Sequence, residues 1–230
     1  MALGRSILLI IMKLARVHHR KNTEPLWHVQ LAVLVAIALQ LVLNNKLIIG
    51  PKYIIAVFEL LLLFGLVVLP RENRTIWHLK RSAAVVLIGL ISAANLLSLV
   101  SVVHELFVNN QVTGRELITS GLAIYLTNII VFGLWYWELD SNGVQGQSPA
   151  VAPIDFLFPQ MTPGEHVQEP GLWSPTFFDY LYVSVTNATA FSPTDTLPLT
   201  HRAKLLMASQ SLISLITIAL VASRAVSILA

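Results

Sequence analysis

A carboxylate inside an apolar run is the first residue of this sequence that invites chemistry. Glu59 is the single charged residue between Tyr53 and Leu69, and a charge at the centre of a bilayer costs on the order of 3 kcal/mol on insertion scales. Such a group serves as a proton relay or an ion ligand, or it is neutralised, or paired with Arg115 or a backbone group. Asn95 and Asn128 lie in two further apolar runs, where the expected role is an interhelical hydrogen bond. Near the C-terminus Gln210, Ser214, Thr217, Val221 and Arg224 recur at helical spacing. A polar stripe of that kind packs against another helix or lines water, and its small hydroxyl residues favour packing.

Other chemistries lack their residues. The histidines His18, His19, His28, His78, His104, His166 and His201 are scattered over different connections. None forms the i, i+4 pair or the cluster with carboxylates that a metal site needs. The absence of cysteine excludes disulfides and thiolate metal sites. No Gly-rich phosphate loop or nucleophile elbow occurs, so an enzyme, a bound cofactor and a metal centre are all unexpected. The net charge of +3 is small and no basic, aromatic-interleaved groove is visible, so nucleic acid is not an expected partner.

The elements that must position these residues follow from the distribution of charge. Only 12% of the 230 residues are charged and 55% are apolar, against about a quarter charged in a soluble domain. The charges gather between four long apolar runs, roughly Leu26–Leu43, Tyr53–Leu69, Ser82–Val103 and Glu116–Trp137. Each is long enough to cross about 30 Å of hydrocarbon. Trp27, Trp77, Trp135 and Trp137 stand at run ends, where indole rings favour the headgroup level. The lipid bilayer is therefore the expected environment, in a cell membrane crossed several times.

Residues 1–22 predict an amphipathic helix. Arg5, Lys13, Arg16 and Arg20 fall on one face and Ile7, Leu8, Ile10, Ile11 and Leu14 cover much of the rest, a pattern suited to the surface of an anionic leaflet. Residues 138–174 are rich in proline and acidic and lack Lys and Arg. There the apolar patch Ile154, Phe156, Leu157 and Phe158 is expected to pin the loop to the membrane surface or to the helix bundle. Ser174-Pro175 predicts a helix start, with the helix running to about Ala190. At some 16 residues, or roughly 24 Å, it is short for a span. Asp179 near its start complements the helix dipole. Pro193 and Pro198 prevent its continuation, and a last span begins about Ala203 and runs to Leu229.

If the short helix returns to its own side, eleven of the fifteen Lys and Arg residues share a face. Lys46, Lys52, Arg115 and Arg224 lie on the other. The positive-inside rule then puts the N-terminus and the long loop in the cytoplasm and the C-terminus outside.

Residues 179–200 resemble the pore helix and filter of the two-span potassium-channel pore domain. Tyr182, Ser184 and Val185 match its pore helix, and Thr189 a threonine that leads into its filter. Asp195, Pro198 and Thr200 match the residues beyond, and Arg202, Leu205 and Leu206 resemble the start of its inner helix. The resemblance covers about residues 116–229. It implies a homotetramer that passes monovalent cations, with Thr189, Ser192, Thr194 and Asp195 near the axis. The pore-loop candidates are Thr186, Asn187, Thr189, Phe191, Ser192, Pro193, Thr194 and Asp195.

The centre departs from that family. Ser192 and Thr194 stand where it has glycines, whose backbone freedom residues with a Cβ lack. Pro193 fixes its own φ and drives Ser192 toward an extended conformation, so a conventional potassium filter is not expected. The family's filter also faces outward, whereas the charge count puts this segment inside. Ile154-Asp155-Phe156-Leu157-Phe158-Pro159 together with Phe178 to Asp195 is similar to uncharacterised bacterial multi-span membrane proteins, which imply no activity.

The expectation is an all-α membrane bundle of about five spans plus a short re-entrant helix. It divides into the interfacial helix at 1–22, a three-span bundle at 26–108 and the pore-domain-like part at 116–229. The runner-up function is a transporter or non-conducting scaffold in which the same segment only packs.

Overall fold

The computed structural model describes residues 26–43, 52–68, 74–109, 112–140, 154–161, 173–189 and 196–229. The expected interfacial helix at 1–22 lies outside these residues, as do the pore-loop candidates Phe191, Ser192, Pro193, Thr194 and Asp195. The described chain is a helical bundle: α1 (Trp27–Val42), α2 (Lys52–Val68), α3 (Arg74–His104), α4 (Gly114–Asp140), α5 (Phe177–Thr189) and α6 (His201–Leu229). Two short strands, β1 (Phe156–Leu157) and β2 (Leu197–Pro198), pair antiparallel with Phe156 opposite Pro198.

Three helices are long and apolar enough to cross a membrane: His78–Phe107, Gly114–Asp140 and His201–Val226. The first two apolar runs give shorter helices of 16 and 17 residues, about 24–26 Å long. The α3 helix begins at Arg74, well before the expected Ser82. No proline or glycine interrupts residues 74–81, so the backbone keeps closing its own hydrogen bonds through the charged turns. Arg81 there reaches Glu138 on α4 at 3.6 Å. A π-helical turn, Glu105–Asn109, ends α3. Thr113 and Glu116 then start α4 as a reciprocal box, with the Thr113 N–H and hydroxyl donating to Glu116 Oε2 at 2.9 and 2.8 Å.

The α4 helix is the hub. Its apolar stretch is 67% buried within the molecule, against 22% for α6. One core joins Val33, Ile37, Leu63, Ile91, Leu134, Trp137, Phe177 and Met207, so the two halves separated in the sequence reading share an interior. Two glycines on α4 allow close approach. A Cβ on Gly121 would lie 2.4 Å from Val221 Cγ2 of α6, and one on Gly133 would lie 3.2 Å from the Leu181 Cα of α5.

Candidate functional site: a returning half-helix and its polar support

The short helix starts at Phe177 rather than at Ser174-Pro175, because Thr176 and Asp179 take over the cap. The Thr176 N–H and hydroxyl donate to Asp179 Oδ2 at 2.7 and 2.8 Å, so Asp179 holds the first turn directly as well as facing the dipole. The helix is 13 residues long, about 20 Å.

Three side chains on α5 fix its course. Tyr180 donates to Asp140 Oδ2 at 2.6 Å, at the end of α4. Ser184 donates to the Ile129 carbonyl at 2.6 Å, a point about 16 Å deeper along α4. Asn187 donates to the Met207 carbonyl at 2.9 Å, and Ser211 donates to Asn187 Oδ1 at 3.1 Å. The C-terminal end of α5 thus lies beside the middle of both long helices. By Thr196 the chain is back where α5 began. There Leu197-Pro198 pairs with β1, and the Leu199 N–H donates to the Asp155 carbonyl at 2.8 Å. The segment enters the bundle and returns to the same end.

That end is held by a clamp on Asp155, which is 1% exposed. Arg202 approaches both its oxygens, with Nε 2.8 Å from Oδ1 and Nη2 2.6 Å from Oδ2. The Thr200 hydroxyl donates to Oδ1, and Asp155 N–H donates to Asp140 Oδ1 at 2.6 Å. The neighbouring Phe156 and Phe158 are buried against Tyr136, Tyr180 and Trp173. The apolar loop patch is therefore pinned to the helix bundle, while Ile154 stays exposed.

Behind α5 lies a buried polar network centred on Gln210, which has no exposed surface. Its Oε1 accepts from Tyr136 at 2.5 Å and from Asn187 at 2.8 Å. Its Nε2 donates to the Ser184 carbonyl at 2.9 Å and to Ser184 Oγ at 2.6 Å. Asn128 donates to Ser214 Oγ at 2.9 Å, which is the interhelical role expected of it. Thr217 is buried on the same stripe and donates to the Ile213 carbonyl at 2.7 Å. Gln210, Ser214 and Thr217 thus pack within one subunit. Thr186 and Thr189 donate to carbonyls of their own helix at 3.0 and 3.1 Å.

Glu59 stands apart. It has no exposed surface and, among the described residues, neither oxygen has a hydrogen-bond partner, so of the alternatives open to it the pairings with Arg115 and with a backbone group are not made. Gln40 on α1 is the polar group that faces it, outside hydrogen-bond geometry. Asn95 is buried on α3. Sequence reasoning missed Tyr136, Asp140 and Gln40. The available signals were a tyrosine just over two turns after Asn128 and an amide late in the first apolar run.

Among the described residues no group of three or more His, Cys, Asp or Glu could hold a metal ion. The fold and site define a class: an all-α protein with three helices of membrane-crossing length and a half-helix that returns to its own end. No protein-family model, curated protein or solved structure matches the chain.

Proposed function

We propose that this chain is a multi-pass membrane protein of the pore-loop kind, which passes monovalent cations by the C-terminal end of α5. The observation that carries this reading is the course of α5, which ends beside the middle of α4 and α6 before the chain turns back. The last carbonyls of a helix lack intrahelical partners and carry a partial negative charge. Half-helix ends of this kind coordinate cations in membrane proteins. Asp195 adds a carboxylate to the returning stretch, and Thr189, Ser192 and Thr194 add hydroxyl oxygens. The constriction is lined by side chains, without a conventional potassium filter. The stripe of Gln210, Ser214 and Thr217 is excluded from the pore wall, because it is consumed inside the subunit. Four copies surround the axis through the exposed apolar faces of α5 and α6, which include Tyr182, Leu205, Leu212 and Leu215.

The test is cation efflux from liposomes holding the purified chain, together with its mass under native conditions. Tetramers and an efflux that falls about tenfold in Asp195→Asn support the reading. Monomers or dimers without efflux reject it. The second reading, a non-conducting scaffold or a transporter, is favoured by the complete internal satisfaction of Gln210. It expects that second result.

A further inference from the structure

The N-terminal half holds a polar site that the pore-loop reading does not use. Glu59 projects from α2 into the packing with α1 and α3, has no exposed surface, and leaves both oxygens without a hydrogen-bond partner. The outer face of α2 is apolar, with Phe58, Leu61 and Phe64 exposed on either side, so water is not supplied from there. Gln40 brings the one polar group that faces the carboxylate, and its Nε2 is itself buried and unpartnered.

Two more observations place this pair far from the end of the bundle where His28 and Asp140 lie. His28, at the start of α1, meets Phe178 edge to face with ring centroids 4.8 Å apart, near the end of α4. Gln40 is twelve residues further along α1, about 18 Å from that end. Thr127 is thirteen residues back from Asp140 on α4, about 20 Å, and its hydroxyl is also buried without a partner. Unsatisfied polar atoms therefore share one depth on α1 and α4.

Among the described side chains no charge pairs with Glu59. The one titratable residue of α1 is His28, at its start, and α3 carries Arg74, His78, Lys80, Arg81 and His104 in its end turns. Lys52 and Tyr53 lie in the first turn of α2 itself. None of His28, Tyr53, His78, Lys80, Arg81 and His104 makes a hydrogen bond to Glu59. A hard metal cation takes about six oxygen ligands, and one carboxylate beside one amide falls far short. An isolated carboxylate in such a place becomes neutral by taking up a proton.

We propose that Glu59, with Gln40 beside it, is an exchangeable proton-binding site within the apolar interior of the N-terminal helices. The site is independent of whether α5 forms a pore. It behaves as a carboxylic acid that apolar reagents reach through the lipid.

Dicyclohexylcarbodiimide tests this on the full chain in liposomes. The acid adds across one C=N bond: its proton goes to a nitrogen and its oxygen bonds to the central carbon. The acyl group then migrates to nitrogen, giving a stable N-acylurea from which nothing is lost. Mass spectrometry should find the adduct on Glu59, with a yield that falls at least about tenfold as the pH is raised, because only the protonated acid adds to the carbodiimide. Glu59→Gln should fold and give no adduct in that peptide. Infrared spectra of the unlabelled chain should contain a protonated-carboxyl band that the variant lacks. Absence of the adduct at every pH, a yield indifferent to pH, or a band unchanged in Glu59→Gln would each overturn the proposal.

Discussion

Replacing Gln210 by leucine tests whether the half-helix is held by polar contacts rather than by apolar packing alone. The two side chains are close in volume, so little cavity is created. Four hydrogen bonds are lost, two to Gln210 Oε1 and two from Nε2. Side-chain hydrogen bonds in membrane bundles average about 0.6 kcal/mol each, which gives about 2 kcal/mol. Tyr136 has no exposed surface, and its hydroxyl would lose its acceptor, at a cost of about 1–3 kcal/mol for a stranded buried group. The expected loss is therefore about 3–5 kcal/mol. Detergent-titrated unfolding, or steric trapping in bicelles, measures it. A cycle with Tyr136→Phe should give a coupling of about 1 kcal/mol between the two positions. The reasoning fails if Gln210→Leu costs less than about 0.5 kcal/mol, the range of a surface substitution, or if the two changes are additive.

Gly121→Ala should destabilise the contact of α4 with α6 by about 1–3 kcal/mol, because its Cβ would meet Val221 Cγ2 at 2.4 Å. Adding Val221→Ala should recover most of that loss in the same unfolding assay, and failure to recover it would remove the contact as the cause. Asp155→Asn weakens a pairing whose arginine side chain is half exposed, so solvent screening limits the loss to about 1–2 kcal/mol. Its clearer effect should be faster proteolysis within residues 154–161, read by mass spectrometry, because the Asp155 side chain ties that segment to Arg202 of α6. An unchanged cleavage rate would show that the paired strands and the phenylalanines hold the loop without it.

The apolar runs were legible in the sequence because helix formation in an apolar environment is local. Each helix closes its backbone hydrogen bonds within its own segment, so run length and Trp placement located α1, α2, α4 and α6 to within a few residues. The shortness of α5 was legible for the same reason. Its first turn was not, since Ser174-Pro175 and Thr176 with Asp179 offer competing caps and only the folded chain selects the second. The helical turns of α3 ahead of Ser82 were not legible, because charge, unlike proline, marks a membrane boundary without ending a helix.

What the sequence alone determined is the set of helices and the polar positions within them, Glu59, Asn128, Gln210 and Ser214 among them. Which of these would meet was decided only by the tertiary structure. Asn128 finds Ser214 across 86 residues, and Arg202 finds Asp155 across 47, while Glu59 finds no hydrogen-bond partner among the described residues. The physical reason is that helices apolar on most faces carry little pattern to fix their rotation. Register is set instead by close contacts such as Gly121 on Val221 and by the hydrogen bonds that form once the helices are already together.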